Sequence, residues 1–248
     1  MADVGTIDAL WPVQAAGLDD DAVLAGYEED VRERWVRVNF VSSLDGSATL
    51  DGRSGGLSDA ADKRVFALLR RVCDVVLVGA GTVRAEGYSG ELGNAADGRW
   101  RVAHGFAEHP RLAVVTASAG LDPASPLFTD APVRPIVVTS AAAPRERTAA
   151  LAEVADVITA GDGSVDLAGA LDALATDGLR RVHCEGGPHL LGSLAEVDAL
   201  DELCLTLSPV LASGDGPRIA AGAVTRLGLH LARVLRSQDT LLLRYTRA

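Results

Sequence analysis

The stretch "VHCEGGPHLLGSL", residues 182–194, sets an acid beside the start of a helix. Glu185 ends an expected strand, Gly186 and Gly187 turn the chain, and Pro188 suits a first helical position. The free N–H groups of a helix start, reinforced by its dipole, hold anions. An acid at the strand's carboxyl end reaches the same crevice, although a plain loop with a surface Glu reads similarly. A second stretch, "DVVLVGAGTVRAEG" at residues 74–87, runs a strand into Gly79, Gly81 and Thr82. It resembles a dinucleotide glycine turn without the third glycine, since Arg84 stands there. Glycines in that place suit close approach by a phosphate or ribose, and tight strand-to-helix packing uses them too. A third, "NFVSSLDGSATLDGRSGGLSDAADKRV" at residues 39–65, turns from a strand into small polar residues and glycines. A flat ligand can lie against such a main chain. Asp45 could accept a hydrogen bond from it, but Asp45-Gly46 is also a strong turn dipeptide. Lys63 and Arg70 lie seven apart on one helix face, and Arg grips phosphate bidentately. An ordinary solvated face has the same spacing. His183-x-Glu185 matches half of a zinc deaminase motif. No C-x-x-C supplies the other ligands, so a structural histidine and no metal are expected.

These residues must be positioned by a regular scaffold. From Trp35 onward, β-branched runs alternate with stretches of helical period. The pattern predicts strands at 35–42, 74–78, 111–115, 135–139, 155–159, 181–184, 202–208, 229–236 and 240–246. It predicts helices at 59–72, 144–152, 166–176 and 188–196. Ser58 is the expected N-cap of the first, and Val65, Leu68, Leu69 and Val72 form its apolar stripe. The fold class expected is α/β, with a mostly parallel sheet covered on both faces. The last two runs read as an antiparallel hairpin. Residues 1–34 are expected to form an arm and 35–248 one domain. Residues 86–110 read as a long polar loop.

The chain has 248 residues, 48% of them hydrophobic and 4% aromatic, so Ala, Val and Leu must build the core. A net charge of −11 argues against nucleic-acid or anionic-membrane partners. Cys73, Cys184 and Cys204 sit in apolar runs and read as reduced core residues. The N-terminus lacks a signal-like apolar region and no apolar run reaches 18 residues, which points to a cytoplasmic protein.

Taken together, "NFVSSLDG", "LLRRVCDVVLVGAGTV", "VHCEGGPHLLGSL" and "VDALDELCLTLSPVLASG" resemble the riboflavin-pathway pyrimidine reductases, in order and spacing, over roughly residues 35–215. The resemblance implies a dihydrofolate-reductase-like fold and a homodimer. It also implies NADPH-dependent reduction of the ribosylamino group of a phosphorylated diaminopyrimidinone or aminouracil. Ser42, Thr82, Glu86, Thr139, Gly186, Gly187, Leu190 and Leu191 then fall on cofactor positions, beside Gly79 and Gly81. Asn39, Ser54, Arg70 and Glu185 fall on substrate positions. Asn39 replaces a lysine found in many bacterial members. An arginine of the family's phosphate site is missing after Glu86-Gly87-Tyr88-Ser89-Gly90. The sugar must open to an imine before hydride can reach it, and Asp45 and Glu185 are the candidate acids. The small residues after strand 35–42 would form the floor beneath the two rings. Two other readings stand beside this one: a dihydrofolate or pterin reductase on the same fold, and a non-catalytic nucleotide-binding protein.

Overall fold

The computed structural model describes residues 5–27 and 33–248. Residues 1–4 and 28–32 of the expected arm lie outside it. In chain order the elements begin with β1 (Asp8–Trp11), α1 (Asp20–Leu24), β2 (Trp35–Ser42) and α2 (Ala60–Arg71). Next come β3 (Val75–Gly79), α3 (Ala80–Glu86), α4 (Ala95–Ala103), β4 (Arg111–Val115), α5 (Pro126–Thr129) and β5 (Ile136–Thr139). The chain continues through α6 (Arg145–Val154), β6 (Asp156–Thr159), α7 (Leu167–Thr176), β7 (Arg181–Cys184) and α8 (Pro188–Glu196). It closes with β8 (Glu202–Leu207), β9 (Leu229–Ser237) and β10 (Thr240–Arg247).

One ten-stranded sheet runs β1-β9-β10-β8-β2-β7-β3-β4-β5-β6. From β8 to β6 every pair is parallel, and from β1 to β8 every pair is antiparallel. Composition follows this division. "VVLV" in β3 and "IVVT" in β5 are buried throughout because helices cover both faces. "ELCLTL" in β8 instead alternates buried and half-buried residues. One face of the sheet packs Val36, Val38, Leu77 and Val182 against Leu171, Leu174, Leu191 and Leu194 of α7 and α8. The other face packs against α3, α5 and α6 at one end and α2 with the N-terminal segment at the other. Cys73, Cys184 and Cys204 are buried and unbridged. Among the described residues no helix is long and apolar enough to cross a membrane.

Three expectations need correction. The N-cap of α2 is Asp59, whose side chain accepts from the Asp62 N–H at 2.8 Å, while Ser58 bonds Asp62 instead. The N-terminal arm is part of the sheet, because β1 pairs antiparallel with β9. The edge of the β9–β10 hairpin, whose exposure would favour a dimer, is covered in part: β8 pairs with β10, and among the described residues β1 pairs with 234–236 of β9 while no strand pairs with 229–233 on that side.

Residues 86–110 also hold structure. Asn94 accepts from Asp97 N while the Asp97 side chain accepts from Asn94 N, a capping box that starts α4. Arg101 of α4 is buried and donates to the carbonyls of Arg70, Arg71 and Cys73, which end α2. A cation there satisfies open carbonyls and complements the helix dipole.

Candidate active site

The carboxyl ends of β2, β3, β4 and β7 open into one cleft of about 1350 Å³. That exceeds the 300–1,000 Å³ or so usual for one drug-sized ligand, so it has room for two molecules. Along the centre of the cleft, β3 ends in Gly79 and β7 is followed by Glu185, Gly186 and Gly187, and each runs into a helix. Gly79 N donates to Gly186 O at 2.9 Å, tying the two ends together. Gly186 has φ +101°, open to glycine at low cost, and a methyl there would fall 3.3 Å from the Phe40 ring. A methyl on Gly187 would fall 2.7 Å from Thr82 Oγ1. The backbone thus forms a cradle without side chains at the start of α8. Pro188 is the first helical residue, and the following amides point outward as anion donors. The anticipated glycine turn at 79–82 is itself a helix start, since α3 begins at Ala80 with Gly79 as its N-cap. Gly81 lies inside that helix with open space where its side chain would be.

The other end of the cleft is polar. Arg70 of α2 holds Glu185 with both arms, Nε to Oε1 at 2.6 Å and Nη2 to Oε2 at 2.7 Å. Tyr88 Oη donates to the same carboxylate at 2.8 Å, and Arg70 Nη1 donates to Leu92 O at 3.1 Å. The Phe66 ring lies 4.7 Å beneath the guanidinium. Burial would raise the Glu185 carboxyl, but Arg70 outweighs it and holds the group below the usual range. Burial drives the Tyr88 phenol upward, so it stays protonated as a donor. His183, on the same face of β7, is wholly buried, with Nε2 3.6 Å from Glu185 Oε1 and neither ring nitrogen hydrogen-bonded. Burial lowers it to about 4, so it is neutral.

Of the residues singled out from sequence, Asn39, Ser54, Arg70, Gly79, Gly81, Thr82, Glu86, Glu185, Gly186, Gly187 and Leu190 all line this cleft. Glu86 Oε1 accepts from both the N–H and the hydroxyl of Ser54 at 3.0 Å, which joins two of them. Ser42, Asp45, Thr139 and Leu191 do not line it. Ser42 Oγ turns back to Ser43 O, Leu191 belongs to the core, and Thr139 is buried. Asp45 faces solvent and ties two loops, accepting from Ser43 Oγ at 2.5 Å, Ala212 N at 3.1 Å and Ser213 N at 2.6 Å. The Ser43 hydroxyl and these amides pull it down to about 2. Asp45 and Glu185 were the expected acids, and neither holds a proton near neutral pH. Arg70 was expected to reach for phosphate, but its two-armed face is already spent on Glu185. Sequence reasoning missed Tyr88, Phe66 and Asp62, which also line the cleft. Spacing could have found Phe66 and Asp62, which lie four and eight residues before Arg70 on the same helix.

Known proteins agree with this architecture. The model of the family described as RibD C-terminal domain matches residues 34–243. The 2,5-diamino-6-ribosylamino-4(3H)-pyrimidinone 5′-phosphate reductase of Archaeoglobus fulgidus is 31% identical over 190 residues, 76% of this chain and 86% of that protein. The crystal structure of a pyrimidine reductase-like protein from Corynebacterium diphtheriae superposes with a TM-score of 0.76 at 28% identity, covering 91% of this chain and 94% of that one. The riboflavin biosynthesis reductase Rib7 of Saccharomyces cerevisiae shares the fold, with a TM-score of 0.64 at 18% identity, covering 90% and 94%.

Proposed function

The chain belongs to the RibD C-terminal domain family, and from that premise we propose that it is the reductase of riboflavin biosynthesis acting on 2,5-diamino-6-ribosylamino-4(3H)-pyrimidinone 5′-phosphate, with NADPH as reductant. The observation that carries the reading is one cleft with two unlike halves: a side-chain-free glycine cradle at a helix start, and a buried Arg70–Glu185–Tyr88 cluster. The cradle of Gly79, Gly186 and Gly187 fits a dinucleotide, because its diphosphate needs backbone amides at close range. Bound there, the cofactor supplies the hydride.

The chain's own residues orient and polarise. Glu185, ionised and fixed by Arg70 and Tyr88, places negative charge beside the sugar nitrogen. That charge favours the protonated, electrophilic form of the opened imine. Addition of hydride at the first sugar carbon would pass the C=N π electrons to nitrogen and give the ribitylamino product. Lys63, the chain's only lysine, lines the cleft on the same helix as Arg70 and is a cation available to the 5′-phosphate, as is Arg84. Phe40, which closes over Gly186, would form part of the floor beneath the two rings.

The test follows NADPH oxidation by the purified protein with the diaminopyrimidinone substrate, its aminouracil counterpart and dihydrofolate. Turnover of a ribosylamino pyrimidine and not of dihydrofolate is expected. Turnover of dihydrofolate alone would replace this reading with the pterin one. NADPH binding without turnover of any substrate would leave a nucleotide-binding protein.

A further inference from the structure

A buried carboxylate in the cleft takes no part in the steps above. Asp62 lies in the first turn of α2, lines the cleft and is 6% exposed. Among the described residues no basic side chain forms an ion pair with it. Its partners are hydroxyls: Ser58 Oγ donates to Oδ2, and the Thr206 hydroxyl of β8 favours its ionised form. Burial nevertheless pushes the carboxyl above its usual range. An ionised carboxylate accepts about four hydrogen bonds, so Asp62 keeps capacity toward the cleft. Asn39 is two residues before Val41, which pairs with Thr206, and so shares its face of the sheet. Its amide also lines the cleft and has no side-chain partner among the described residues. The cleft's carboxylates nearest α2 are otherwise engaged or exposed. Arg70 and Tyr88 occupy Glu185, Ser54 occupies Glu86, and Glu91 stands on the exposed rim.

We propose that Asp62 reads the ring edge bearing N3–H and the 2-amino group of the diaminopyrimidinone, and so selects that ring over the deaminated aminouracil. The edge presents two parallel donors, and a carboxylate presents two matching acceptors. The uracil ring keeps N3–H but puts a carbonyl oxygen where the amino group stood. Asp62 would then face an acceptor with no proton between them, and such a mismatch in a buried site discriminates strongly. Asn39 completes the edge from the neighbouring strand. The inference rests on the function proposed above and names the specificity-determining residue within it.

Two measurements test it. The first is kcat/KM for the diamino and the deaminated substrates with wild type and Asp62→Asn. The wild type should prefer the diamino ring. Asp62→Asn should shrink that preference by about 10- to 150-fold, the range of one lost charge-assisted hydrogen bond. An amide offers one acceptor and one donor, which suits the uracil edge. The second is calorimetric binding of the sugar-free bases, triaminopyrimidinone and diaminouracil, which needs no turnover. Selective binding of the first, lost in Asp62→Asn, supports the inference even if no substrate turns over, and that outcome would sink only the proposed reaction. If Asp62 merely anchors α2 to β8, both substrates and both bases weaken together and the ratio stays fixed. That result, or equal binding of the two bases by wild type, overturns the inference.

Discussion

At the scale of single residues, the cleft depends on buried groups whose charges are settled by one neighbour. From helix spacing alone Arg70 looked removable, since it lies off the apolar stripe of α2. The structure makes it the counter-charge of a fully buried carboxylate. Arg70→Ala should therefore cost about 3–5 kcal/mol of stability, as for other broken buried pairs, and thermal melts will show the loss. A fall in activity with an unchanged melting temperature would count against the pairing. His183 gives a separate, pH-dependent signal. Its folded value of about 4 lies below the unfolded 6.5. Its contribution is therefore complete above pH 6.5 and is lost as pH falls toward 4, by roughly 3 kcal/mol at 1.36 kcal/mol per unit. His183→Leu should flatten the stability profile between pH 6.5 and 5, where Glu185, held low by Arg70, does not yet titrate. Persistence of the full slope in that variant would assign it elsewhere. Glu185 could be read from its place after a strand and before two glycines. Its ionisation could not, because that depends on an arginine 115 residues away.

At the scale of elements, the regular strands and long helices were legible because burial on two faces forces continuous Val and Ile runs. Short elements held by polar contacts were not. α4 begins at a capping box of Asn94 and Asp97, a local pattern that could have been found. Its docking through Arg101 onto the end of α2 is tertiary and leaves no local trace. The cleft's roof has a similar dependence. Ala221 N donates to Pro188 O at 3.0 Å, and a methyl on Gly192 of α8 would fall 1.9 Å from the Ala221 carbonyl oxygen. Gly192→Ala should push the segment bearing Ala221 off α8. We expect about 1–3 kcal/mol of destabilisation, as for other overpacked sites, and weaker cofactor binding by titration. Unchanged affinity and stability together would show that this segment yields freely.

At the scale of the whole molecule, two distant parts of the chain are fastened by a charged core. Glu202 accepts from Arg37 at 2.7 Å, Arg244 at 2.9 Å and the Trp35 indole at 2.8 Å. Burial opposes its ionisation, but the two guanidiniums prevail and bring it to about 2. Arg37, Arg233 and Arg244 in turn flank the Tyr27 ring and bond carbonyls of residues 22, 23, 26 and 27. The family match begins only at residue 34, yet removing residues 1–27 would strip β1 from β9 and take away the carbonyls that these arginines bond there. The truncated chain should melt lower and self-associate through its bared strand. Light scattering after size exclusion will test this, and a monomer of unchanged stability would refute it.

The pairing of β1 with β9 also sets an order in time. Asp8 leaves the ribosome about 230 residues ahead of its sheet partner Arg236. At about 5–20 residues per second, roughly 10–45 s separate the two. Through that interval β1 has no partner strand beyond its bridge from Ala9 to Ala15, and β2, at the middle of the sheet, waits for β7 and β8. The nascent chain cannot close its sheet as it emerges. It must keep β1 from foreign partners until β9 has been made.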